Sequence, residues 1–173
     1  MEPMEFIITR RSIRKFTNEP VGPGELNAIL KAGMYAPSAR NQQPWHFIVI
    51  TSVRLKEAIM TAHPYASMLG EAPLAILVCG DPALEKSQGY WPIDCSAATQ
   101  NILLAAHSLG IGSVWLGVHP RKERKDAISQ ILRLPEHIEP FALVALGYPR
   151  ERKDTPDRWH PERIHTNGWD GQS

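Results

Sequence analysis

The chain has 173 residues, 43% of them hydrophobic, with 19 basic against 18 acidic side chains and a formal net charge of +1. A length near the roughly 150 residues of a typical domain suits a single packed unit, and the balanced charge excludes a global field for a polyanion, so any nucleic-acid footprint must be local. No apolar run approaches the roughly 18 residues of a membrane span, and the start MEPMEFIITRRS lacks the basic-then-apolar form of a secretory leader, which predicts a cytoplasmic protein.

Residues 10–16, RRSIRKF, crowd Arg10, Arg11, Arg14 and Lys15 into one short patch. Three readings compete: a nucleic-acid or membrane arm, a solvated helix end whose cations complement the helix dipole, or a pocket for one small anion. Guanidinium groups make bidentate, charge-assisted bonds to phosphate oxygens, and Ser12 adds a hydroxyl donor. GPGELNAILKAGMYAPS then sets Leu26, Ile29, Leu30 and Gly33 at helical spacing, opened by Pro23 and ended before Pro37. Between this helix and the next apolar run, Ser38, Arg40, Asn41, Gln42 and Gln43 form a polar loop stiffened by Pro37 and Pro44, as rigid presentation of a ligand-binding group requires, or as an ordinary capping loop.

HFIVIT, LAILVCG, SVWLGV and FALVALGY are predicted as four buried strands. Helical patterns lie between them at 53–62, 92–109 and 121–132, the middle one with a smooth face of Ala97, Ala98, Ile102, Ala105 and Ala106. Strands alternating with helices indicate a three-layer α/β or α+β sandwich. From Pro149 onward the chain is charged and proline-rich, yet Trp159, Ile164 and Trp169 are costly to leave in water, so this segment is expected to be an arm packed on another surface.

Glycine-rich phosphate loops and the common hydrolase and metalloprotease motifs are missing, so a phosphate has to be held by side chains. The seven histidines share no ligand spacing with Cys79 and Cys95, which predicts no metal and two packed free thiols. Asp94, Glu25 and Glu71 are candidate acids or bases, with capping or surface duty as the competing role.

RRSIRKF, APSARNQQPWHFIV, AATQNILLAAHSLGIGSVWLG and ALGYPRER, in that order across nearly the whole chain, resemble the nitroreductase family of FMN enzymes. The resemblance implies an α+β homodimer with a central, mainly antiparallel sheet, flavin at the interface, a single domain over residues 1–173, and residues 149–173 as an arm on the partner subunit. Carried over by position, Arg10, Arg11 and Ser12 match phosphate and ribityl contacts, and Arg14 matches the cation beside flavin N1 and O2, the one catalytic side chain. Pro37, Ser38, Ala39 and Asn41 match the loop that reaches the partner's flavin, with Gln43 near it; many relatives carry a serine where Ala39 stands. Val114, Trp115, Leu116 and Gly117 match the segment beside the isoalloxazine, as wall and backbone donors, and Arg158 matches a further phosphate-binding arginine.

The implied activity is ping-pong hydride transfer from NAD(P)H through FMN to an electron-poor acceptor such as a nitroaromatic or quinone. A specialised flavin dehydrogenase or dehalogenase and a non-catalytic flavin carrier or redox sensor are the alternatives. Larger relatives carry a substrate lid, for which the stretch from Thr61 to Gln88 leaves little room.

Overall fold

The computed structural model describes residues 3–169. Its centre follows from the apolar runs that lack polar alternation, because such strands need cover on both faces. These are β2 (Leu74–Gly80), buried throughout, and β4 (Glu139–Gly147), buried from Pro140 onward. β1 (Trp45–Ile50) and β3 (Gly112–Gly117) flank them in the order β1-β2-β4-β3, and every pairing is antiparallel. The fold is therefore α+β. β1 is only half buried in its middle, unlike the four buried strands expected, because it is an edge strand with no neighbour on its outer side.

Alternate residues of the strands point to opposite layers. Ala75, Leu77, Cys79, Val114, Leu116, Leu143 and Ala145 pack with Ile59 of α3 (Val53–Ala62) and Ile128 of α5 (Lys122–Leu132). Leu74, Ile76, Val78, Ala142, Val144 and Leu146 pack with Ile29 of α2 (Pro23–Met34) and with α4 (Trp91–Ser108). Helix, sheet and helix make the three layers. A short helix α1 (Pro3–Thr9), not foreseen in the sequence, lies beside α4.

α4 is the spine of the molecule. Ala98, Ile102 and Ala106 are fully buried and seat the helix on the sheet of its own chain, while Ala97 and Ala105 of the same face stay partly exposed. α2 approaches it closely at Gly33, where a β-carbon would lie 3.0 Å from Ile102 and from Phe47. Glu25 starts α2, accepting the Gly22 amide at 2.8 Å and the Tyr148 hydroxyl at 2.6 Å. Cys79 and Cys95 are buried free thiols, both pushed up by burial, Cys79 to about 12. No described helix is long and apolar enough to cross a membrane. Trp159, Ile164 and Trp169 are 70%, 60% and 80% exposed, which the expectation of a further surface to pack on requires.

Candidate functional site

The charged stretch leaves α1 at Thr9 and runs past the free edge of β3. Ser12 bridges Ser113 in parallel, and the Ile13 amide donates to the Ser113 carbonyl at 2.9 Å. Ile13 and Phe16 sink into the core and fix the register of the segment. The chain after β4 returns as a strap over it. The Arg150 amide donates to the Lys15 carbonyl at 2.9 Å, and the Glu151 carboxylate accepts the amides of Arg14 at 2.6 Å and Lys15 at 3.3 Å. The Lys153 ammonium donates to the Ser12 carbonyl at 2.7 Å, and Arg11 Nε donates to the Asp154 carbonyl at 3.0 Å.

This strap delivers Arg158 to Arg10 and Arg11. The three line a cleft of about 720 Å³ together with Ile7, Ile8 and Trp159. Burial lowers the Arg10 pKa, and the charges of Arg11 and Arg158 lower it further. Among the ion pairs of the described residues none involves Arg10, Arg11, Arg14 or Arg158. Asp157 also lines the cleft, but it forms no ion pair with the three arginines, so the cationic excess favours an added anion. At the same place His107 of α4 lies 3.0 Å from the Thr9 hydroxyl, and its pKa is lowered by burial and then by Arg10 and Arg11.

The polar loop 37–43 is built differently. Arg40, Asn41 and Gln43 have φ of 50°, 52° and 48°, in the left-handed region that non-glycine residues occupy only when their surroundings impose it. Buried Asp94 imposes it, accepting the Ala39 amide at 2.9 Å and Gln42 Nε2 at 2.7 Å. Gln42 Oε1 in turn accepts the amides of Lys86 at 2.8 Å and Ser87 at 3.1 Å, and Ser38 Oγ accepts the Gln43 amide at 3.0 Å. Pro37, Arg40, Asn41 and Gln43 are left exposed, with Ser38 and Ala39 partly so. Asp94 thus anchors a loop, Glu25 caps a helix, and Glu71 pairs with Arg150 at 2.9 Å; each of the three candidate acids has a structural partner.

β3 lies between these two regions as an edge strand. In an antiparallel pair successive residues turn their main-chain groups alternately toward and away from the neighbour. Ser113 offers its carbonyl outward to Ile13, so Trp115 and Gly117 also face the open edge, while Val114 and Leu116 turn theirs toward β4. The side chains of Val114 and Leu116 are 1% and 4% exposed, within the core. They therefore wall no ligand, a correction to the expected role of the four-residue run. Trp115 packs edge-on against Phe141, with ring centres 5.8 Å apart. A β-carbon at exposed Gly117 would meet nothing within 4 Å, which leaves room for a flat group to approach the backbone.

The Gly117 carbonyl is held by two donors that the sequence did not single out. His63 Nε2 lies 3.0 Å away, and Arg124 Nη1 lies 2.7 Å away. Nothing in the spacing of a lone histidine and a helical arginine marks them; they meet only through the tertiary fold. Glu151 and Lys153 escaped notice for the same reason.

Asp94 and His107 stand thirteen residues apart on one helix, roughly 20 Å at 1.5 Å per residue. Arg10, Arg11 and Arg158 come together beside the C-terminal half of α4, and Ser12 follows Arg11 in the chain, beside Ser113. Pro37, Ser38, Ala39, Asn41 and Gln43 sit at the N-terminal end of α4. Arg14 is exposed on the strapped segment.

The sequence profile of the nitroreductase family matches residues 7–64 and 60–148. A protein of Archaeoglobus fulgidus, provisionally assigned as an NADH dehydrogenase/NAD(P)H nitroreductase, is 49% identical over 172 residues, covering 97% of this chain and 99% of its own. A crystal structure from Parabacteroides distasonis with the same assignment superposes with a TM-score of 0.92 at 40% identity, over 96% of this chain and 98% of the other. A nitroreductase from Desulfovibrio desulfuricans, crystallised in complex with FMN, superposes at 0.83 with 31% identity, over 95% of this chain and 96% of the other. With a family profile matched over most of its length and relatives this similar in sequence and fold, the chain belongs to the nitroreductase family.

Proposed function

We propose that the protein is an FMN-dependent NAD(P)H oxidoreductase that works by ping-pong transfer to an electron-poor acceptor such as a nitroaromatic or quinone. The observation that carries this reading is the meeting of Arg10, Arg11 and Arg158 in one cleft where, among the described residues, none of the three is in an ion pair and Asp157 is the one lining carboxylate. A phosphate dianion matches that charge, and planar guanidiniums bind it in pairs. Bound FMN supplies the hydride chemistry, accepting from the nicotinamide and donating to the acceptor.

The chain's own residues orient and polarise. Arg10, Arg11 and Arg158 hold the phosphate, with the Ser12 hydroxyl as a further donor. The main-chain groups of Trp115 and Gly117 lie along the open edge of β3, where a ring has room beside Gly117. Arg14 places a fixed cation where negative charge develops during reduction, and a preorganised charge of that kind lowers the barrier without reorganisation.

The loop 37–43 completes the site from a second copy. It stands at the end of α4 opposite the arginines, so a twofold dimer is the simple way to bring the two together. Residues 1–173 form one domain, and 149–173 form the arm that packs on the partner, the exposed Trp159, Ile164 and Trp169 being its contact side chains; positions 1–2 and 170–173 of that division lie outside the described residues. The test is purification followed by release and chromatography of the bound flavin, with stopped-flow mixing against NADH and NADPH. FMN that bleaches rapidly is expected. FAD, no uptake of added FMN, or a flavin that stays yellow under both nicotinamides would refute the assignment.

A further inference from the structure

The open edge of β3 is bracketed. At one end the Ser113 carbonyl is taken by the Ile13 amide, a main-chain contact. At the other end the Gly117 carbonyl is taken by two side chains, His63 from the end of α3 and Arg124 from α5. Only the second bracket can titrate.

His63 is 1% exposed, and an imidazole so buried is costly unless both its nitrogens are partnered. Both are. The Gly117 carbonyl can only accept, so Nε2 carries the hydrogen. The Tyr65 amide, 3.2 Å from Nδ1, can only donate, so Nδ1 is the bare acceptor. The ring is thereby fixed as one neutral tautomer. A second proton would set an N–H on Nδ1 against the N–H of Tyr65 and add a charge beside Arg124.

The groups facing the ring are few. Arg124 of α5 is the charged one, and it also lies over the Tyr65 ring at 5.3 Å. Tyr65 approaches edge-on at 6.3 Å, β3 presents the Gly117 carbonyl, and the His63 amide itself ends α3 by donating to the Ile59 carbonyl. Burial pushes the His63 pKa below its ordinary value, the Gly117 carbonyl opposes this, and Arg124 adds to the lowering.

We propose that His63 and Arg124 are positioning residues that hold the Gly117 end of β3 against the flavin ring, and that His63 is seated there as the neutral Nε2–H tautomer, because a second proton keeps the bond to Gly117 but replaces the Tyr65 bond at Nδ1 with a clash of two N–H groups that unseats the ring. This rests on the FMN reading above. Its consequence is an acid limb in flavin reduction that belongs to a residue touching neither flavin nor substrate.

The experiment has an apoprotein arm and a holoprotein arm. In the apoprotein, nitrogen NMR of labelled histidine should show His63 as the Nε2–H tautomer, with protonation only below the usual histidine range and faster amide exchange at 115–118 once it occurs. His63→Leu and Arg124→Met should raise that exchange at neutral pH. In the holoprotein both of these variants should weaken FMN and riboflavin by the same factor, about tenfold at most for one lost hydrogen bond. A defect confined to the ring end leaves the preference for the phosphate intact. The acid limb of single-turnover reduction should follow the His63 titration in the parent and vanish in His63→Gln.

An Nδ1–H tautomer, an unchanged acid limb in His63→Gln, or unaltered binding of both flavins in His63→Leu and Arg124→Met would overturn the proposal. If a variant fails to fold, the parent protein's tautomer and the match between its two titrations still decide. Tautomer and exchange as expected in a chain that takes up no flavin would sink the FMN reading and leave the holding of Gly117 standing.

Discussion

The two ends of α4 solve opposite problems. At the C-terminal end, segment 10–16 is held by main-chain contacts and by the strap, and its arginines have no ion-pair partner among the described residues. At the N-terminal end, loop 37–43 is held by buried side chains, and the polar atoms that shape it satisfy one another. One end has a firm backbone with unbalanced charge; the other has a strained backbone with balanced hydrogen bonds. An electrostatically incomplete region depends on its ligand for balance, whereas a satisfied one holds its shape in the free protein.

That contrast is broken most sharply at the arginines. Arg14→Ala is expected to slow flavin reduction by about 10²- to 10³-fold, the usual effect of removing one preorganised donor, with a smaller effect on FMN affinity. Arg10→Ala should do the reverse, weakening FMN far more than riboflavin, because it opposes charge already present on phosphate. Stopped-flow reduction and fluorescence titration separate the two. Equal effects of both variants on both quantities would abolish the division.

The loop end should respond through stability. Asp94→Ala leaves the Ala39 amide and the Gln42 amide without their acceptor, at about 1–3 kcal/mol for each unsatisfied group. A lower denaturation midpoint is expected in the absence of any flavin, whereas Arg10→Ala apoprotein should be no less stable than the parent, because one of three repelling charges is gone. Denaturant titration of the two apoproteins measures this, and an unaffected Asp94→Ala chain would show that the loop needs no anchor.

The smallest effect is a titration. His107 takes up its proton at lower pH in the folded chain than the ordinary value of 6.5, as burial and the charges of Arg10 and Arg11 require. The unfolded chain is then the better proton binder in that window, so the fold loses stability as pH falls through it and keeps it above. Inorganic phosphate or FMN beside Arg10 and Arg11 offsets their charge and should raise the His107 pKa. Proton NMR of the imidazole with and without phosphate checks the sign; a fall, or no movement, would place the anion elsewhere.

Much of this was legible in the sequence. Residues 74–80 and 141–148 read as buried strands because unbroken apolar runs permit little else, and α2 was bounded by Pro23 and Pro37. The arginine patch left an anion pocket as one of three readings, and the order of motifs announced the family. What stayed hidden was what only the fold brings together. Asp94 read as a generic carboxylate because its partners lie at positions 39 and 42, across two strands and a helix. The smooth face of α4 could not be assigned from sequence, because small residues serve any close approach; Ala98, Ile102 and Ala106 prove to seat the helix on its own sheet. Val114 and Leu116 read as ligand walls because a motif carries no parity; the pairing of β3 with β4 supplies it. α1 was missed because its seven residues are too short for a periodic signal.

The separation along α4 has a genetic consequence. In the proposed dimer each site takes its arginines from one copy and its loop from the other. A chain damaged at Arg10 and a chain damaged at Asp94 would each form sites that are broken everywhere. Mixed together, they would form dimers in which one site gathers both lesions and the other gathers none. Two inactive proteins would thus restore activity on subunit exchange, and a rigid helix roughly 20 Å long between the half-sites is what makes that complementation possible.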